Sequence, residues 1–455
     1  MRRVGVALSG GGHRATVWAL GVLLYLVDAG RNEQVTTITS VSGGSIANGV
    51  VASKGEFGEM DPADFRAAVA PTLHHIADEG LFFFGRPTNG YVYGVLGAAI
   101  LSVLSAAAAI ALLALGEPAA GLLVAVACVV LVTGTAIAFS RRSLVADRAM
   151  GDVHFTADGR PLLLREVDRR TTHVFCATEL QAGNQVYFSP RFAYCYRLGI
   201  GEAGDLPLST AVQASACLPG AFAPRRLPTA RHHFRRVAGV SEPEQLPTEI
   251  VANDGGVYDN MGDEWFLGYA DRAEAWPELP DVAPPVDQLI VANASGGWGW
   301  QPLRKRYLLR REIEGISRSA GVLYNLSTRM RRRELIDRWR AGHDEKGALV
   351  HIPQSPFVTA DGFAGHEGEA AARARAVIAA LGDDEVTRGA WEDTAKHNAA
   401  IKTVLRALGR ADTLSLLRHA YVLAMANLHV TLDYPLLAVP TDDELADWWR
   451  PDDRS

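Results

Sequence analysis

Ser42 stands in the run Ser40-Val41-Ser42-Gly43-Gly44, directly after the β-branched stretch Val35 to Val41 and before the small residues Ser45 to Ser53. A serine hydroxyl becomes a useful nucleophile when a strand-to-helix turn lifts it out of a sheet and a neighbouring base takes its proton. Glycines at 43 and 44 permit such a sharp turn and the close approach of a substrate. The run departs from the pattern G-x-S-x-G at its first position, where Ser40 replaces glycine. Serine is small, so the elbow survives the change. Read alone, the run also fits an ordinary structural turn.

Two more turns carry what such a serine would need. Gly10-Gly11-Gly12-His13-Arg14 follows the apolar strand Val4 to Leu8 and opens a helix, so its consecutive amides can cradle an anion. One such anion is the oxyanion formed when Ser42 attacks a carbonyl. Arg14 could support this loop or meet a lipid phosphate. A dinucleotide-binding loop fits Gly10, Gly12 and Ala15 only loosely, and the next strand offers no acid for a ribose hydroxyl. The Lys and Ser/Thr pair of a nucleotide-phosphate loop is absent. Asp254-Gly255-Gly256 follows a short strand, Glu249 to Asn253, and supplies a candidate base. Asp-Gly alone is a common turn, but the three sites together make a nucleophile, a cradle and a base.

Other chemistry finds less support. The 13 His allow a Ser-His-Asp triad with His351 or His429, yet neither sits in a context that brings it to Ser42. Cys128, Cys176, Cys195 and Cys217 have no close metal-ligand spacing, and His232-His233 lies in an Arg-rich stretch. No metal and no cofactor is expected.

With the ASACLPGAF stretch at 214–222, these pieces (GGGHR at 10–14, SVSGGS at 40–45, DGG at 254–256) make the chain resemble the patatin-like phospholipases. The resemblance covers residues 1–90 and about 150–300. It implies a Ser–Asp dyad that cleaves acyl esters, with Ser42 as nucleophile and Asp254 as general base. Gly10, Gly11 and Gly12 would line the oxyanion hole, supported by Arg14, Gly43, Gly44, Gly255 and Gly256. The fold implied is a three-layer α/β/α hydrolase. Transfer of the acyl group to an acceptor other than water uses the same dyad, and a non-catalytic membrane scaffold that retained the fold is a reading from another class.

The elements that must position these residues alternate strand and helix, as an α/β sheet requires. After Val4–Leu8, a helix is expected over His13 to Ala29, a strand over Val35 to Val41 and a helix over Ser45 to Ser53. Residues 56–85 read as an amphipathic or loop-forming connection. Strands are expected at Thr171–Glu179, Gln185–Ser189, Glu249–Asn253 and Leu289–Ala292, with a helix at Leu208–Cys217 and a surface loop over 223–248. Beyond 300 the pattern is helical, at Arg304–Arg340, Glu367–Leu381, Lys396–Leu408 and Leu414–Met425.

Composition adds the setting. The 455 residues carry 51 Asp and Glu against 45 Lys and Arg, so nothing draws the chain as a whole to nucleic acid. Hydrophobic content of 48% excludes global disorder, and four Cys exclude a disulfide scaffold. Apolarity is concentrated: between Arg86 and Arg141 the only charged residue is Glu117. Val92–Leu115 and Ala119–Phe139 flank a Gly-Glu-Pro breaker, and each is long enough to span the roughly 30 Å of a bilayer core as a helix. Their Ala and Gly would let the two helices approach closely. Arg86 before this hairpin and Arg141, Arg142 and Arg148 after it place both flanks in the cytoplasm. The expectation is therefore a two-pass protein of the cell membrane with a lipid substrate. Its catalytic domain, 1–300, would be interrupted by the hairpin at 92–139, and 301–455 would form a mostly helical extension or lid.

Overall fold

The computed structural model describes residues 2–82, 85–167, 170–237, 245–296, 302, 308–342 and 346–449. At its centre lies a mixed sheet. Five parallel strands run in the order Lys346–His351, Gln288–Asn293, Val4–Leu8, Val35–Ser40 and Thr172–Glu179. The antiparallel strands Asn184–Phe188, Ala193–Cys195 and Gly199–Gly201 extend it beyond the last of these. The four inner parallel strands are buried on both faces, which is why they read as near-continuous apolar or β-branched runs, whereas the edge strand Lys346–His351 is half-buried. Alternate residues divide between two cores: Val4, Val6 and Leu8 face one, and Ala7 faces the other.

One core lies under the helices Gly12–Asp28, Gly43–Ser53, Pro62–Asp78 and Arg410–Leu432. Gly12–Asp28 is buried almost throughout, because the sheet covers one side and Arg410–Leu432 the other. The two helices cross where Gly21 allows the backbone of Leu417 to approach; a Cβ on Gly21 would lie 2.6 Å from the Leu417 carbonyl oxygen. The second core gathers Trp265, Phe266, Trp276, Tyr187 and Phe192, and Leu335 of the long helix Leu308–Arg340 closes it.

Most expected elements form within a few residues of their expected limits. Two expectations are corrected. The stretch 223–248 contains a strand, Arg225–Pro228, which pairs antiparallel with Glu249–Asp254 and buries Leu227; residues 238–244 of that stretch lie outside the described residues. The helix expected over Lys396–Leu408 is instead Glu385–Ala400. It stops there because the backbone from 404 to 409 bonds to other parts of the chain: Val404 O accepts from His13 N–H, Leu405 O from the amides of Leu81 and Phe82, and Leu408 N–H donates to Ile76 O. Beyond residue 300, the start of the expected helix at Arg304 lies outside the described residues, and the helix is described from Leu308. The same region contributes the sheet strand Lys346–His351, which the sequence reading did not find.

Two apolar helices, Asn89–Ala114 and Pro118–Ser140, project as a hairpin from the body. An 18-residue stretch within each reaches a mean hydropathy of 2.4 and 2.6, and both helices are long and apolar enough to cross a membrane. They stay exposed, with Leu101, Leu104, Ile110, Leu123, Val129 and Val130 all more than half accessible among the described residues. At the base Tyr91 Oη donates to Ala138 O (2.8 Å), joining the two helices, and Phe82 of the body packs between Tyr91 and Phe222.

Candidate functional site

The sheet itself explains how residues 42 and 254 meet. Strand Thr172–Glu179 is longer than its neighbour Val35–Ser40, which pairs with it only as far as Ser40 opposite Phe175. The free remainder of that edge is taken by Glu249–Asp254 running the other way, ending with Asp254 opposite Ala177. Ser42 and Asp254 therefore leave their strands toward one point. This is also the carboxyl end of the parallel strands, where open α/β sheets place their sites.

Ser42 has φ 51 and ψ −120, a left-handed conformation that costs a non-glycine residue energy and exposes its side chain at the turn. Its N–H is anchored by Ser215, through Oγ at 3.0 Å and the carbonyl at 3.2 Å. Below it lies a buried polar network. Ser215 Oγ donates to Cys176 O (2.6 Å), Ser45 Oγ lies 2.8 Å from Ser215 Oγ and 3.0 Å from Ser40 Oγ, and Asn48 Nδ2 donates to Ser40 Oγ (2.9 Å). Ser40, the departure from glycine, is thus a working member of the network that holds the elbow.

The glycine loop rests directly on the elbow. A Cβ on Gly43 would overlap the Gly12 carbonyl oxygen, and one on Gly10 would come within 3.2 Å of Ser42 Cβ. Gly12 itself has φ 60, a conformation that favours glycine. The expected three donors are not all available, since Gly10 N–H already donates to Asn260 O (2.9 Å). The amides of Gly11, Gly12 and Gly43 have no acceptor among the described residues, and Gly12 and Gly43 each open a helix. Arg14 turns to the backbone of the C-terminal region. Its guanidinium donates to the carbonyls of Ala399 and Ile401, and burial lowers its pKa to about 10. It ties the C-terminal segment across the loop, where Val404 lies against Gly12.

Asp254 has no exposed surface, and Ser42 retains 8%. The carboxyl Oδ1 accepts from Gly256 N–H (2.9 Å), while Oδ2 has no aligned hydrogen bond among the described residues. Burial pushes the carboxyl up to about 6, opposed by the Gly256 amide and by the nearby Ser42 hydroxyl. A raised carboxylate with one free oxygen beside a strained serine can take the hydroxyl proton as that oxygen attacks a carbonyl carbon.

Neither histidine considered for a triad comes to this point. His351 Nε2 accepts from Arg332 (2.7 Å) at the sheet edge, and His429 Nδ1 pairs with Tyr434 O (2.6 Å). Among the described residues no group of three or more His, Cys, Asp or Glu could hold a metal ion. A cleft of about 210 Å³, lined by Arg2, Arg31, Gln34 and Tyr434, lies at the opposite end of the parallel strands, away from Ser42 and Asp254.

Three residues at the site escaped the sequence reading. Ser215 lay inside the 214–222 stretch without an assigned role. Asn260 links three elements: its carbonyl holds Gly10, Nδ2 donates to Ser295 Oγ (2.9 Å), and Oδ1 accepts from Tyr324 Oη (2.6 Å). Tyr324 arrives from the helix Leu308–Arg340, and its hydroxyl occupies the space a Cβ on Gly256 would need. No local pattern marks it.

A family model for patatin-like phospholipase matches residues 6–262. No curated protein matches the chain. Among solved structures it is similar to human GIVD cytosolic phospholipase A2, at 14% identity and a TM-score of 0.36, over 65% of this chain and 43% of that one. The similarity thus spans less than half of the human protein's length. It is also similar to VipD from Legionella pneumophila, at 11% identity and a TM-score of 0.27, over 100% of this chain and 92% of that one. With the family model matched over more than half of its length, the chain belongs to the patatin-like phospholipase family.

Proposed function

We propose that the protein is a membrane-held serine acyl hydrolase that cleaves carboxylic ester bonds of phospholipids or related lipids through Ser42 and Asp254. The observation that carries this reading is the strained Ser42 beside a buried carboxyl with one unpaired oxygen and a raised pKa. In the first step Ser42 Oγ bonds to the ester carbon while its proton passes to Asp254. Negative charge gathers on the carbonyl oxygen, where the amides of Gly11, Gly12 and Gly43 are available as donors. Collapse breaks the ester bond, and the proton on Asp254 leaves with the alcohol. Water then attacks the acyl-serine, gives its proton to Asp254, and the fatty acid departs as Ser42 recovers the proton.

The hairpin 92–139 would insert as two spans. Ser42 precedes it and Asp254 follows it, so a working dyad requires an even number of crossings, and two meets that condition. The arginines on its flanks favour a cytoplasmic catalytic body in the cell membrane. Residues 1–300 would form the catalytic domain around this insertion. The region 301–455 would complete it, in keeping with the edge strand Lys346–His351 and the packing of Arg410–Leu432.

A fluorophosphonate probe tests the chemistry. It should label the wild-type protein and leave Ser42→Ala unlabelled, with turnover of a lipid panel falling on the order of 10³-fold or more. Undiminished labelling of folded Ser42→Ala overturns the assignment. Product analysis with an added alcohol separates hydrolysis from acyl transfer.

A further inference from the structure

The helix Leu308–Arg340 has two faces with different fates. At about 100° per residue, Tyr324, Thr328, Arg331 and Leu335 share one arc. All four turn inward: Tyr324 to Asn260 (2.6 Å), Arg331 to Asp259 (3.3 Å) and Glu264, and Leu335 to the second core. Ile316, Leu323, Leu326 and Met330 fall within a second arc of roughly 80°, about 130° away. They are 49 to 73% exposed. Arg311, Arg329 and Arg333 are exposed beside them. Glu312, Glu334 and Asp337 are exposed on the same arc beyond the two ends of the 316–330 stretch, and Arg331 and Arg332 turn away from it to Glu264 and His351.

An apolar stretch with arginines along one side is a surface suited to a lipid interface, with side chains in the acyl boundary and cations among anionic headgroups. Its position agrees with that role. The hairpin base is joined to the 217–223 turn, through Arg142 Nε to Ala221 O (2.8 Å) and Ser143 Oγ to Ala223 O (2.6 Å). That turn holds Asp254 N–H through Cys217 O (3.1 Å). On the other side of Asp254, Gly256 meets Tyr324. The hairpin and the helix therefore flank the same dyad, and Leu218, Val257 and Tyr258 expose further apolar surface between them.

We infer that the outer face of Leu308–Arg340 is a second bilayer contact, an interfacial helix that lies on anionic lipid while its inner face reaches the dyad. The inference rests on the reading of the protein as a membrane-held lipid hydrolase, but its test does not use turnover. The full chain, with Cys128→Ala and Leu326→Cys carrying a polarity-sensitive fluorophore, is placed in nanodiscs of neutral or mixed neutral and anionic phospholipid. The remaining cysteines, 176, 195 and 217, are buried and leave the label at one site. The expected result is blue-shifted emission quenched by nitroxide-bearing lipid, several-fold more strongly on anionic discs. Ile316→Asp with Leu323→Asp should abolish the quenching, and Arg311→Gln, Arg329→Gln and Arg333→Gln together should remove the anionic preference. Water-like emission without lipid quenching on both discs overturns the inference. So does a blue shift that depends on protein concentration and not on nitroxide lipid, which would mean a second copy covers the face. Fluorophosphonate labelling of the same samples reports the dyad separately, so either reading can fail alone.

Discussion

Asp254 is the residue on which the pH behaviour turns. Its carboxyl stands near 6 because burial disfavours the anion more than Gly256 and Ser42 stabilise it. In the proposed reaction it accepts a proton only when ionised, so kcat/KM for a soluble ester should rise with pH through about 6 and then level off. The stability linkage has the opposite sign. A carboxyl raised on folding favours the folded state below its unfolded pKa of about 4, and that contribution is lost as pH climbs through 6. Asp254→Asn should remove the rising limb, lower kcat/KM on the order of 10³- to 10⁴-fold and leave the thermal midpoint at neutral pH unchanged or higher. A variant that kept the same limb would show that another group is the base. Ser42, Asp254 and the glycine loop were readable in the sequence because the chemistry demands residue types at fixed local spacing. Which amides remain free was not: Gly10 spends its N–H on Asn260, a contact 250 residues away.

Helix Leu308–Arg340 shows why elements were less legible than motifs. Its helical character was plain, but its docking depends on Tyr324 and on Arg331, which only the folded chain gives partners. Arg331 lies among three carboxylates, Asp259, Asp263 and Glu264, with the first two buried completely. Burial and the charge of Asp259 hold the Asp263 carboxyl far above its ordinary range, so the cluster is tolerable only with the guanidinium present. Arg331→Met should cost about 3–5 kcal/mol at neutral pH, because buried acidic groups lose their counter-charge. The loss should shrink as pH falls, because burial raises the carboxyls of Asp263 and Glu264 and both then carry less charge. Chemical denaturation at pH 7.5 and pH 5 measures both parts, and limited trypsinolysis should find this Arg-rich helix opened first. An equal penalty at both pH values would assign the role of Arg331 to packing alone. The edge strand Lys346–His351 was missed for a related reason: six residues with little periodicity become a strand because Gln288–Asn293 offers them an open parallel edge.

At the scale of the molecule, the hairpin and the body behave as separable solvation problems. Composition alone located the hairpin, since 48 residues with one charge are conspicuous in any chain. The body closes its own cores around the sheet, and the hairpin adds almost nothing to them beyond the contacts of Tyr91 at its base. Replacing residues 92–139 by a short Gly-Ser linker should therefore leave the fold standing and Ser42 reactive toward a fluorophosphonate within a few-fold. The protein should move to the aqueous fraction after membrane separation. On the proposed function, soluble short-chain esters should remain substrates, whereas phospholipid in neutral vesicles should be cleaved far more slowly, because the shortened protein would no longer be concentrated at the interface. If the outer face of Leu308–Arg340 also meets lipid, the shortened protein should still sediment with anionic vesicles at low salt and leave them at high salt, as a screened contact does. Loss of Ser42 labelling in a protein that no longer folds would mean that the hairpin braces the body, and the division between anchor and catalyst would have to be abandoned.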